Sequence, residues 1–119
     1  MPRNMAPEDE VSRFLTDFKA KLDLYEVTYM RRDKNLQALA SLDIRPFERT
    51  AYLRSLAVEN YYRGPHYDQA GISDLWEFGI QVKGKEVYIK IQLGAFNRST
   101  ICISFHIAEF PMTYPYKKL

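Results

Sequence analysis

The chain has 119 residues and a mass of 14.0 kDa, which fits one domain of about 100–150 residues and leaves no room for a second core. Hydrophobic residues at 46% and charged residues at 27% exclude a disordered, collagen-like or coiled-coil chain. A net charge of +2 and a pI near 8.6 are too mild to mark a nucleic-acid binder from bulk charge alone. No apolar run approaches the ~20 residues of a membrane helix and the first residues lack a hydrophobic signal core, so a soluble cytoplasmic protein with no membrane partner is expected. The single cysteine, Cys102, excludes an internal disulfide and a multi-cysteine zinc site; with only His66 and His106 beside it, neither a metal nor a cofactor is expected.

Residues 1–10 hold two prolines and three acids before any periodic pattern, which reads as a frayed terminus. From Glu8 to about Tyr25, Val11, Phe14, Leu15, Phe18 and Leu22 fall at helical spacing and predict the longest helix. Glu26 to Met30 alternates and suits a short edge strand. Leu36, Leu39 and Ala40 then mark a second helix, and Pro46 opens a third that runs to about Leu56. Asn60 to Ser73, with Gly64-Pro65 and Gly71, shows little periodicity and reads as a long loop, a kind that is often functional. Leu75–Val82, Glu86–Leu93 and Ile101–Ile107 are three strand-like runs, and Ala108 to Leu119 is an extended C-terminal tail. Helices first and strands last predict a single α+β domain, residues 1–119, with N-terminal helices packed on one face of a mainly antiparallel sheet.

Sorting each strand by parity exposes a polar face. Trp76, Phe78, Ile80 and Val82, with Val87, Ile89, Ile91 and Leu93, and with Ile101, Ile103, Phe105 and Ile107, form the apolar side. Glu77, Gly79, Tyr88, Lys90, Cys102, Ser104 and His106 fall on the other. A two-residue turn at Lys83-Gly84 would set Trp76 opposite Ile91 and Glu77 opposite Lys90. Pairing Leu93 with Ile101 would then set Ile91 opposite Ile103, Lys90 opposite Ser104 and Tyr88 opposite His106. The plain reading is that antiparallel sheets commonly leave one face wet. The functional reading is that an acid, an amine, a phenol and an imidazole form a proton-transfer and anion-binding set, and that Gly79 would let a ligand approach the backbone.

Residue by residue, the same two readings stand together. His106 is a candidate general acid or base, or a surface histidine. Glu77 and Lys90 are a base beside a phosphate-binding amine, or an exposed ion pair worth about 0.2–1 kcal/mol. Tyr88 stacks on a base, donates a hydrogen bond, or packs on Gly79. Cys102 reads as a small filler, and Trp76 as core. Arg63 follows Tyr61-Tyr62 and precedes Gly64-Pro65, so a loop would present a phosphate-clamping fork beside two aromatics that suit single-stranded nucleic acid; otherwise it is a solvated arginine. His66 and Tyr67 would extend that surface. From Phe78 to His106 the basic residues Lys83, Lys85, Lys90 and Arg98 face one acid, Glu86, so that stretch is locally +3.

Taken in order, Asn60-Tyr-Tyr-Arg-Gly64, Leu75-Trp-Glu77, Val82-Lys-Gly-Lys-Glu-Val-Tyr-Ile-Lys-Ile91 and Ile103-Ser-Phe-His106 resemble the MqsR family of toxins from bacterial type II toxin-antitoxin systems, and Leu39-Ala-Ser-Leu-Asp-Ile44 fits the helix-rich stretch upstream. The resemblance runs from about Val27 to His106. It implies a RelE-like α+β ribonuclease that cleaves messenger RNA without a metal, inhibits translation and is neutralised by a cognate antitoxin. By position it places the family's site residues on Arg63, Glu77, Tyr88 and His106. A member of that family has lysine where this chain has Arg63 and His106, and glutamine where it has Glu77, so an acid-base pair is gained here. The chemistry expected is attack of the ribose 2′-hydroxyl on the adjacent phosphate, giving a cyclic phosphate and a free 5′-hydroxyl. Glu77 or Tyr88 would be the base, His106 the acid, Arg63 and Lys90 the phosphate clamp, Tyr61 or Tyr62 the stacking platform, and Ser104 and Arg98 further RNA contacts. The alternative is a non-catalytic RNA-binding or protein-interaction module that uses the same polar face.

Overall fold

The computed structural model describes residues 5–118, and in it the spacing of Val11, Phe14, Leu15, Phe18 and Leu22 becomes α1 (Glu8–Leu22) with all five side chains buried. Acids in its first turn and Lys19 and Lys21 in its last complement the helix dipole. The described part of the terminus expected to fray is tied down instead. Met5 bridges to Gly64, Ala6 is buried, its N–H donates to the Tyr61 hydroxyl at 2.9 Å, and its carbonyl accepts from Tyr116. Residues 1–4 lie outside the described residues.

The short edge strand forms as expected, as β1 (Thr28–Tyr29). In α2 (Asp33–Leu42), however, Asn35, Ala38 and Leu42 point inward while Leu36 and Ala40 are exposed and Leu39 is partly buried. The inward face turned because Asn35 takes over where β1 stops. Its Nδ2 donates to the carbonyls of Met30 at 3.0 Å and Ile103 at 2.9 Å, and its Oδ1 accepts from the Phe105 N–H at 3.0 Å. A buried carboxamide with three backbone partners is cheaper than a strand edge left unpaired in the interior. The Pro46-initiated helix is a 3₁₀ turn, Pro46–Glu48, followed by α3 (Arg49–Arg54).

Asn60–Ser73 is not one long loop. Tyr61–His66 is β2, antiparallel to β3 (Leu75–Val82). Two register shifts break its alternation, which is why no period-2 signal survives in the sequence. β4 (Lys85–Gln92) and β5 (Ile101–Ile107) complete a sheet of order β1-β5-β4-β3-β2, antiparallel except for β1 beside β5. Lys83 and Gly84 both have positive φ, 51° and 82°, the mirror-image turn that a two-residue hairpin favours. It sets Trp76 opposite Ile91 and Glu77 opposite Lys90, as expected.

The next hairpin departs from expectation at one point. Lys90 faces Ser104 and Tyr88 faces His106, but a register shift after Lys90 sets Ile91 opposite Cys102 and Gln92 opposite Ile101. That extra residue turns the side chain of Cys102 from the polar face into the core, where it is 1% exposed and burial pushes its thiol up to about 12. The apolar face carries Trp76, Phe78, Val82, Val87, Ile89, Ile91 and Phe105, and α1 covers it with Phe14 stacked on Trp76 at 4.5 Å between centroids. The class is therefore α+β with a mostly antiparallel sheet, as predicted. The C-terminal tail crosses the opposite face. The Ala108 N–H donates to the Glu86 carbonyl, Tyr114 lies over Gly79, and Tyr116 stacks beside Tyr61 at the β2 edge.

Candidate active site

Glu77 stands in mid-strand on β3 with Arg63 opposite it on β2 and Lys90 opposite it on β4. Its side chain is 3% exposed, yet its two oxygens take bonds from three neighbours. Arg63 Nε donates to Oε2 at 2.6 Å and Nη2 to Oε1 at 3.3 Å; His66 Nε2 meets Oε2 at 2.5 Å; the Tyr88 hydroxyl donates to Oε1. Burial alone would raise the carboxyl pKa, but the bonds from Arg63 and Tyr88 and the charge of Arg63 hold it below the usual carboxylate range. The effect on Tyr88 is the reverse: burial and its bond to the Glu77 anion push the phenol far above its ordinary value, so it stays protonated. Glu77 is thus an ionised anchor, with Arg63 and Tyr88 oriented by it.

Tyr88 also packs against His106 on β5, with centroids 5.2 Å apart. His106 Nδ1 lies 3.0 Å from the Ile107 carbonyl, which can only accept, so Nδ1 carries a proton and Nε2 is the free end of the ring. These side chains open onto a groove of about 470 Å³ over the polar face, whose lining includes Arg63, Tyr88, Lys90, Ser104 and His106. The Lys90 side chain has no hydrogen-bond or ion-pair partner among the described residues, and Ser104 is nearly buried at 4% exposure. At the rim Lys34 Nζ grips both oxygens of Glu109, at 2.7 and 2.9 Å.

Of the residues expected at the site, Glu77 lies beneath this groove and Arg63, Tyr88, Lys90, Ser104 and His106 line it. Tyr61 does not belong there. Its ring is fully buried and its hydroxyl is bonded to Ala6 and Gly64, so it is core and cannot stack on a ligand. Tyr62 is half-buried under the Arg63 guanidinium, 4.9 Å from the ring centroid, and supports that side chain. Arg98 is exposed in the β4–β5 connection and is no part of the lining. The space over Gly79, expected to admit a ligand, is filled by the tail: a Cβ there would sit 2.1 Å from the Tyr114 hydroxyl. Sequence reasoning gave His66 no more than a place on the extended binding surface and left Arg32, Phe110 and Met112 without a role. His66 reaches Glu77 only because β2 is irregular, Arg32 lines the groove from the start of α2, and Phe110 and Met112 line it from the tail. The Arg31-Arg32 pair ahead of a helix was a readable signal; the tail offered none. No protein family, no curated protein and no solved structure matches this chain.

Proposed function

We propose that this chain is an MqsR-like toxin, a metal-independent endoribonuclease with a RelE-like arrangement of helices on an antiparallel sheet, which cleaves messenger RNA and is held in check by a cognate antitoxin. One observation carries the reading: an imidazole, a phenol backed by a carboxylate, an arginine and an unpaired lysine converge on one groove of an otherwise tail-covered polar face. In the proposed reaction the 2′-oxygen bonds to phosphorus as the bond from phosphorus to the 5′-oxygen breaks. The 2′-hydroxyl proton passes to the Tyr88 oxygen while the phenol proton moves to Glu77; the leaving oxygen takes its proton from Nε2 of His106, which enters the reaction as the imidazolium and keeps its Nδ1 proton on the Ile107 carbonyl. Glu77, a weak base in this setting, holds that proton only until the products leave, then releases it to solvent through Tyr88, while His106 takes one back from solvent. Arg63 and Lys90 offset the charge that grows on the phosphorane.

The test is incubation of purified protein with long single-stranded RNA in EDTA, beside Arg63→Ala and His106→Ala. Cutting with cyclic-phosphate ends that both variants lose is the expected result. No cutting of free RNA and none of messenger RNA in a translation reaction would overturn the proposal.

A further inference from the structure

The groove has two unlike walls. On one side lie the sheet and the start of α2, with Arg63, Lys90, His106 and Arg32; on the other lies the tail, with Phe110 and Met112. Met112 is nearly buried, but the Phe110 ring is 54% exposed and lies outside the hydrophobic core. Its exposure is not that of a loose end. Glu109 beside it is bound to Lys34, and the chain beyond is held by the Tyr114 hydroxyl donating to Glu86 at 2.7 Å and by Tyr116 on Ala6. A fixed segment therefore presents an unsatisfied aromatic ring to a groove lined by four Lys and Arg side chains against two acids, Asp33 and Glu109. Glu109 is already paired with Lys34, and the side chains of Arg32 and Lys90 have no hydrogen-bond or ion-pair partner among the described residues.

We propose that Phe110 is a nucleobase-stacking residue. An unpaired base of single-stranded RNA lies on its ring while the flanking phosphates lie against Lys90 and Arg32. The proposal rests on the ribonuclease reading and adds the strand's seat to it. A phenyl ring has no hydrogen-bonding group, so it recognises the π-face that every base has, and a positive groove with an aromatic wall is the general design for single strands. A duplex is excluded because paired bases have their faces covered.

The test is binding of a randomised, non-cleavable strand of about eight 2′-O-methyl nucleotides, and of the same backbone without bases. Phe110→Ala is expected to weaken binding of the first strand by about 5- to 150-fold, the range for one stacked base, and of the second by less than about two-fold. Phe110→Trp should restore binding. Phe96→Ala, an exposed aromatic of the β4–β5 connection outside the lining, should change nothing. Equal binding by Phe110→Ala and the unaltered protein would overturn the proposal while RNA cutting leaves the ribonuclease reading standing. If the unaltered protein fails to bind the strand at all, the proposal also falls, and cutting of long RNA decides the ribonuclease reading separately.

Discussion

Arg63 reaches Glu77 across the β2–β3 ladder with its Nε 2.6 Å from Oε2, although the arginine side chain is 49% exposed and the carboxylate 3%. The pair joins solvent to the interior: one end is free to meet a phosphate while the other is fixed by a buried anion. The same anion fixes His66 and the Tyr88 phenol, so a single carboxylate sets the orientation of three side chains drawn from β2 and β4.

Glu77→Gln should therefore lower stability at neutral pH by about 1–2 kcal/mol, a charged hydrogen-bond network discounted for the exposure of Arg63. The sign with pH follows from the depressed pKa. The folded carboxyl is more acidic than its ordinary 4.5, so its contribution is complete above that value and is lost as pH falls through the lower folded one. Thermal melts from pH 7 down to pH 2.5 should show the gap between the two proteins closing at the acid end. A gap that stays constant with pH would mean that the carboxylate charge contributes nothing.

His106→Ala should reduce RNA cleavage by about 100- to 10,000-fold, the usual worth of a positioned acid, with RNA affinity changed by no more than a few fold. Tyr88→Phe removes only the hydroxyl that bonds Glu77. It should leave the fold intact by circular dichroism, since the ring still packs on His106, and slow cleavage in single-turnover assays. A Tyr88→Phe protein that cuts at the normal rate would take the phenol out of the proton path.

Asn35→Ala removes a side chain that satisfies two carbonyls and one N–H at the β5 bulge. Buried backbone groups left without partners cost about 1–3 kcal/mol each, so with three of them a loss of about 3 kcal/mol or more is expected by urea denaturation. Asn35→Asp should be as harmful, because a carboxylate cannot donate to Met30 and Ile103. A mild effect from either variant would show that water replaces the amide there.

What the sequence made legible follows from where alternation is unbroken. β3, β4 and the second half of β5 keep strict period 2, so Glu77, Tyr88, Lys90, Ser104 and His106 could be placed on one surface from parity alone. β2 was hidden by its two register shifts, and that concealment made Tyr61 look like a loop aromatic when it is core. Cys102 was set on the wrong face because one extra residue in β5 inverts every assignment on its far side. Asn35 was missed for a different reason: hydrophobic periodicity registers burial only when the buried residue is apolar. Capping of the sheet by the crossing tail was one of two roles open to that segment, and no periodicity chose it, since its anchors are two isolated tyrosines, Tyr114 and Tyr116, on either side of Pro115.

Gly79 gives that crossing a direct test. A Cβ at this position would lie 2.1 Å from the Tyr114 hydroxyl and 2.9 Å from its ring, closer than side chains tolerate, so Gly79→Ala must displace the tyrosine or the tail that carries it. The displaced hydroxyl would lose its bond to Glu86, worth about 1–2 kcal/mol. Limited proteolysis should then cut the tail of Gly79→Ala faster than that of the unaltered chain, with the melting temperature lowered by several degrees. Combining Gly79→Ala with Tyr114→Ala removes the clash and should cost little beyond Tyr114→Ala alone. Fully additive losses would mean that the glycine is needed for the strand itself and not for the aromatic that lies over it.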